Sequence, residues 1–429
     1  MQTSSAQVSR RTKVTSAFLG LLLAGIAATP AQAETIRSRQ WHLDVMKADE
    51  MWKVSTGEGV TVAVIDTGVK VVPELEGQVL EGKNFSSKPG GAREDANGHG
   101  TGIAAMIAAT GRHPSGDGAF GLAPGVRILP IRIGTNAGKA SDINYSRAIR
   151  YAADSDAKIV NISNGGPYDG AETRKAVKYA LSKGKLIFAA VGNGGNDFSE
   201  TEYPAGTPGV VGVGAVGKDL KATKESQTGG HVDLAAPGMD TLTACTGKTG
   251  LCNTHGTSGA SALASASAAL IWSKYPKWTN NQVLRVMIET AGGPTSGAKR
   301  NDYVGYGLVR PRIALSQKVD PGPADEYPLP DLAAAEPKSP TPSAPAPKGA
   351  GGSSGEDDGK KPTAAVPTAS DGGGDTGLWI GLGIAAAAVV GAAIAIPLVR
   401  SRRRAAAAVS TAPPNPYQQQ YPPSDGQYR

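Results

Sequence analysis

The sequence predicts an α/β domain with a mostly parallel sheet and helices on both faces. Three observations carry this prediction. Short apolar runs recur through the middle of the 429-residue chain, stretches of helical spacing alternate with them, and glycine- and proline-rich turns close them. An apolar run of about four to eight residues reads as a strand covered on both faces, and strand–helix alternation is how parallel strands are connected.

In chain order, "VTVAVID" (60–66) is the first strand, ended by a turn at Thr67-Gly68. "NGHGTGIAAMIAAT" opens a helix after Gly100, and "VRILPIRI" (126–133) is the next strand. "SDINYSRAIRYAADS" reads as a helix with Ser141 and Asp142 at its start, since short side-chain oxygens accept from free N–H groups there. "AKIVNIS" (157–163) is a strand, "AETRKAVKYALSKG" a helix capped by Gly184, and "KLIFAAVGN" (185–193) a strand. "THGTSGASALASASAAL" (254–270) is a helix of small residues, stopped by Pro276. The turns "IDTGV", "SNGGP", "GNGGND" and "AAPG" stand where an open α/β sheet gathers its functional groups.

The two ends are of another character. Arg10, Arg11 and Lys13 precede "AFLGLLLAGIAA" and Ala31-Gln32-Ala33, the layout of a secretory signal peptide over 1–33. Residues 34–317 form the globular domain. Residues 318–377 are rich in proline, glycine and serine, cannot bury a core, and read as a disordered stalk. "LWIGLGIAAAAVVGAAIAIPLV" (378–399) carries no charge and spans about 33 Å as a helix, enough for a C-terminal transmembrane segment. "RSRRR" follows and stays on the cytoplasmic side, so 400–429 is a basic, then disordered, cytoplasmic tail and the domain faces outward. The expected location is therefore the cell membrane, single-pass, with the domain extracytoplasmic.

The net charge of +7 does not indicate nucleic acid as a partner, because several positive charges sit in the signal peptide and the stop-transfer cluster. No basic patch interleaved with aromatics occurs in the domain. The two cysteines, Cys245 and Cys252, suit an exported setting, where a disulfide between them would stabilise by roughly 2 to 2.5 kcal/mol through loop closure. A metal site would need more ligands nearby.

Three short segments carry candidate chemistry. Asp66 ends a buried strand, His99 lies between glycines in "NGHGTG", and Ser258 lies in "HGTSGA" before a helix. A nucleophilic hydroxyl needs a base to take its proton, and the base needs a buried carboxylate to fix its tautomer. Among the five histidines, His255 is the rival base, but three residues from Ser258 it would share the serine's own loop. The order Asp, His, Ser also excludes an α/β-hydrolase esterase, which requires G-x-S-x-G and the order Ser, Asp, His.

These segments resemble those of the subtilisin-like serine peptidases, the subtilases (peptidase family S8). "VAVIDTGV" matches the family's aspartate segment, "NGHGTGIAAMIAA" its histidine segment, "HGTSGASALASA" its serine segment and "AVGNGG" its oxyanion segment. "GLAPGVRILPIRI", "IVNISNGG", "AAPG" and "GYGLVRPRIAL" extend the resemblance over about residues 40 to 317. It implies the subtilisin-like three-layer fold, with Asp66, His99 and Ser258 as the catalytic triad and Asn193 as oxyanion donor. It also implies that Ser163, Asn164 and Gly165 bind the extended substrate backbone. Calcium is common in the family, yet no acidic loop here is assigned to a metal, and no cofactor is expected. The short lead before Asp66, "RQWHLDVMKADEMWKVSTGEGVTVAVIDTGV", together with the stalk and single anchor, resembles the mycosins, membrane-anchored subtilases associated with type VII secretion.

Gly259 stands where the family has a bulky apolar residue, Ala262 where it has proline, and Gly102 where a second histidine is common. Asn164 replaces a more usual leucine. The expected function is a membrane-anchored serine endopeptidase acting on polypeptide, with secretion machinery as partner. The alternative is a catalytically weak or inactive subtilase serving as a scaffold in a secretion complex. An adhesion module would explain the stalk and anchor but none of the motifs.

Overall fold

The apolar run ending at Asp66 forms β1 (Thr61–Asp66), and each successive side chain goes to the opposite face of the sheet. Val62 and Val64 belong to one core cluster, Ala63 and Ile65 to another. The computed structural model describes residues 34–134, 138–195 and 200–335, all inside one contact unit, Met1–Thr341. The expected signal peptide, transmembrane segment and cytoplasmic tail, and the expected stalk beyond Ala335, lie outside the described residues, among which no helix is long and apolar enough to cross a membrane.

Six further strands join β1: β2 (Lys83–Asn84), β3 (Arg127–Arg132), β4 (Ile159–Ile162), β5 (Leu186–Ala190), β6 (Val211–Val216) and β7 (Leu234–Pro237). Their order is β2-β3-β1-β4-β5-β6-β7, every pair parallel. The chain builds one side of the sheet through β3, then returns to β1 and builds the other side. The order therefore reverses between β1 and β4, and ligands of open α/β sheets bind beyond the carboxyl ends at such a point.

Two short helices open the domain, α1 (Trp41–Val45) and α2 (Ala48–Trp52), followed by α3 (His99–Ala108), α4 (Lys139–Ala153) and α5 (Ala171–Ser182). The serine segment is α6 (Thr257–Lys274), followed by α7 (Asn280–Glu289), α8 (Pro311–Ser316) and α9 (Asp331–Ala335). Residues of α3, α6, α7 and α8 share the core of Val62 and Val64, and those of α4 and α5 the core of Ala63 and Ile65. The result is three layers, helix–sheet–helix. Every residue of α3 after His99 is buried, so that helix is apolar all round, as an interior helix must be.

Local chemistry differs from the sequence expectation in three places. Asp142 lies inside α4, whose N-cap is Gly138, and its carboxylate instead accepts from the N–H groups of Glu172 and Thr173. It thus caps α5, which has no capping side chain of its own. The helix expected to open after Gly100 begins at His99. Residues 318–335, stalk by composition, run back over the domain, with Arg285 donating to the carbonyls of Pro321, Pro323 and Glu326. Gly184 closes α5 as expected: its N–H meets Leu181 O and that of Lys185 meets Ala180 O, the paired bonds of a left-handed C-cap.

An antiparallel hairpin, β8 (Thr241–Ala244) and β9 (Leu251–Thr254), leads into α6. Cys245 and Cys252 stand across it with Cα atoms 5.9 Å apart, within reach of a disulfide.

Candidate active site

Asp66 ends β1 fully buried, and its Oδ1 meets His99 Nδ1 at 2.7 Å while also accepting from the Thr67 N–H. This contact depends on Gly100. A Cβ there would stand 2.1 Å from the Gly68 carbonyl oxygen and 3.1 Å from Asp66 Cβ, so any other residue would push α3 away from β1. The bond makes Nδ1–H the donor in neutral His99 and leaves the Nε2 lone pair free. The Asp66 charge raises the His99 pKa above its ordinary 6.5, with burial opposing and the Asp95 charge assisting.

Asp95 is a site residue that sequence reasoning missed. Its carboxylate accepts from the N–H groups of Gly98 and Thr101 and from the hydroxyls of Thr67 and Thr101. An acid at the start of a helix is favoured by the free N–H groups there, and this one fixes the turn that delivers His99. The signal was an aspartate three residues before the Gly-His-Gly-Thr stretch, in "DANGHGT".

Ser258 occupies the first turn of α6, where backbone N–H groups lack helical partners. The carboxyl end of β5 meets this turn through Asn193. Its Oδ1 accepts from the Thr257 N–H at 2.8 Å and from the Thr257 hydroxyl at 3.0 Å. Its amide oxygen is thereby spent on capping α6, and among the described residues the Nδ2 hydrogens have no acceptor and face a ligand's place in the cleft. Gly256 has φ +107°, and a Cβ there would lie 2.8 Å from Asn193 Nδ2, so glycine is required for the asparagine to reach the helix.

The carboxyl end of β4 meets the same turn in a reciprocal pair. Ser163 Oγ donates to the Ser258 carbonyl at 3.0 Å, and Ser258 Oγ donates to the Ser163 carbonyl at 2.9 Å. No hydrogen bond joins Ser258 Oγ to His99 Nε2. Beneath them lies a second group that the sequence reading overlooked. Asn161, fully buried on β4, donates to Ser163 Oγ and accepts from the hydroxyls of Ser261 and Ser265. Gly259 makes room for Met106 of α3, which a Cβ would approach to 3.0 Å.

His99, Ser163, Asn164, Gly165, Asn193 and Ser258 line one cleft of about 330 Å³, together with Glu202. His255 is outside it, its exposed ring bonded to Glu225. His42 is a core residue, where burial and then the Arg37 charge push its pKa down to about 3. Among the described residues no group of three acidic, histidine or cysteine side chains could hold a metal ion.

A buried carboxylate bonded to a histidine, a serine at a helix start and an asparagine that caps that helix are an arrangement that can carry acyl transfer. The subtilase family model matches residues 57–307, more than half of the chain. Mycosin-1 of Mycolicibacterium smegmatis is 31% identical over 354 residues, 70% of this chain and 78% of the relative. The crystal structure of MycP1 from the ESX-1 type VII secretion system superposes with a TM-score of 0.60 at 29% identity, covering 70% of this chain and 91% of that one. A chain in the structure of the periplasmic assembly from the ESX-5 inner membrane complex gives 0.58 at 28% identity, covering 70% and 90%. The matched span runs from the turn before β1 past the serine helix, through both the aspartate–histidine pair and Ser258: the chain belongs to the subtilases, as a subtilisin-like serine peptidase related to the mycosins.

Proposed function

We propose that this protein is a membrane-anchored, extracytoplasmic serine endopeptidase that hydrolyses polypeptide through Asp66, His99 and Ser258, in association with type VII secretion machinery. The observation that carries the catalytic assignment is the 2.7 Å bond from His99 to a fully buried Asp66 at the cleft that also holds Ser258 and Asn193. In this reading Ser258 Oγ turns from the Ser163 carbonyl toward His99 Nε2, gives it the proton and attacks the substrate carbonyl carbon. Such bonds often form only when substrate is bound. Asp66 stabilises the imidazolium at Nδ1–H.

Negative charge then develops on the former carbonyl oxygen. Asn193 Nδ2–H and the Ser258 N–H are the donors proposed for it, both in place before reaction because Thr257 holds the asparagine. His99 returns its proton to the leaving amine, and water repeats the sequence on the acyl-enzyme. Ser163, Asn164 and Gly165 follow β4 as the proposed seat of extended substrate backbone.

The exported, anchored state is proposed from the sequence ends, and the secretion link from likeness to the mycosin relatives. A Cys245–Cys252 disulfide is proposed to brace the hairpin before α6. A fluorophosphonate probe applied to the full chain beside Ser258→Ala tests the chemistry. Labelling of the parent alone is expected. Absence of label on folded parent protein would favour the scaffold reading, in which the Ser258–Ser163 pair is permanent.

A further inference from the structure

Among the described residues Glu202 is the one carboxylate lining the cleft, and the way it is held suits a ligand better than a fold. The loop after β4 is fastened to the segment carrying it: Gly166 N–H donates to Tyr203 O and Tyr203 N–H to Gly166 O. Two glycines wall the carboxyl in. A Cβ on Gly192, after β5, would stand 2.5 Å from Glu202 Cδ, and one on Gly165, after β4, 3.1 Å from Oε2. Gln227 donates to Oε1 at 3.2 Å, and its own N–H is tied to the Gly192 carbonyl. The slot between the two loops therefore ends on an anchored carboxylate whose Oε2 has no donor among the described residues.

No lysine, arginine or histidine forms an ion pair with Glu202 among the described residues. Burial raises its pKa, with no compensating charge. Leaving a half-buried carboxylate unpaired costs stability, so a site of this kind favours any cation that can enter. The position of the slot says which cation. If the scissile carbonyl lies between Ser258 and Asn193, the residue bearing that carbonyl sits against Gly165 and Gly192, the slot's two walls. Its side chain enters between them.

We infer that Glu202 is a specificity-determining residue that selects lysine or arginine on the acyl side of the cut. This rests on the peptidase reading above. Arginine and lysine differ little here in reach, and both present donors to the open Oε2.

The test uses matched fluorogenic peptides that differ only at that residue: lysine, arginine, methionine and alanine. On the full chain, kcat/KM for lysine and arginine is expected to exceed that for methionine about 10- to 100-fold. In Glu202→Gln the ratio falls to near one, and in Glu202→Lys it inverts. A parent ratio below two, or a preference for alanine, would overturn the inference and make Glu202 a plug that shortens the slot. The same four peptides are bound to Ser258→Ala by fluorescence anisotropy, a readout independent of chemistry. Basic preference in binding without probe labelling of the parent would overturn the peptidase reading and, with it, selection at a cut, leaving Glu202 only as a binder of basic side chains; labelling without preference would overturn this inference alone.

Discussion

Asn161→Ala is the perturbation that best tests how the serine helix is held. The wild-type side chain makes three hydrogen bonds inside the core, one donated to Ser163 Oγ and two accepted from Ser261 and Ser265. Truncation leaves those three hydroxyls to find other partners. Ser163 Oγ keeps its bond to the Ser258 carbonyl, and Ser265 can turn to a carbonyl one helical turn back, as Ser267 already does to Leu263. One of the three is then stranded or poorly paired, at about 1 to 3 kcal/mol, and a cavity of amide size adds about 1 kcal/mol. A loss of about 2 to 4 kcal/mol follows, or roughly 4 to 10 °C in Tm for a domain of this size.

Two measurements are needed, thermal unfolding and turnover of a peptide substrate. Turnover should fall with stability, because Asn161 supports Ser163, which pairs with Ser258. The combined variant Asn161→Leu, Ser261→Ala, Ser265→Ala removes donors and acceptors together, and apolar replacement of both partners is nearly neutral. It should recover most of the lost stability. Should Asn161→Ala unfold within about 0.5 kcal/mol of the parent, or the combined variant be worse than the single one, the network does not hold the helix.

Four further outcomes are expected. Asn193→Ala should lower kcat about 10²- to 10³-fold with KM little changed, and a defect confined to KM would refute the oxyanion role. Since His99 must be neutral to act as base, kcat/KM should rise with pH through a value above 6.5, and Asp66→Asn should move that limb to lower pH while cutting kcat about 10³- to 10⁴-fold; an unmoved limb would show that another group titrates. The same raised pKa stabilises the fold at pH below about 6.5 and ceases to do so as pH climbs through the folded value, so unfolding and activity profiles should run in opposite directions. Reduction of Cys245–Cys252 should cost about 2 to 2.5 kcal/mol, and mass spectrometry finding two free thiols in the native protein would remove the disulfide.

What the sequence makes legible is what depends on single residue types at fixed spacing. Four apolar runs become β1, β3, β4 and β5 with ends within three residues, because burial on both faces leaves no other use for such runs. Strands β6 and β7 escape that reading: "VGVGAV" and "LAAP" are poor in bulky side chains and owe their place to the strands beside them. Asp66, His99, Asn193 and Ser258 stand out by glycine neighbours. Asn161 and Glu202 do not, because their decisive partners lie far away in the chain, and a lone polar residue in a strand or loop carries no local sign of that; Asp95, bonded to Gly98 and Thr101 close by, does carry one in "DANGHGT". Composition also misjudges residues 318–335, whose backbone carbonyls, invisible to any composition measure, are what Arg285, Gln282 and Thr279 bind.

The small residues of α6 then have one explanation rather than two. Ser258, Ser261 and Ser265 stand at i, i+3 and i+7 and so share one stripe of the helix. That stripe faces β4, where Ser163 pairs with Ser258 and Asn161 takes the other two hydroxyls. A helix that bonds directly to strand residues has no room for a layer of large side chains between, and alanine, serine and glycine are what remain. Close packing is the means by which the first turn, with its free N–H groups, is set against the ends of β4 and β5. The nucleophile role proposed for Ser258 requires a fixed placement against Asn193, which that rigidity supplies. The packing role of this segment and its proposed chemical role are consequences of the same contact.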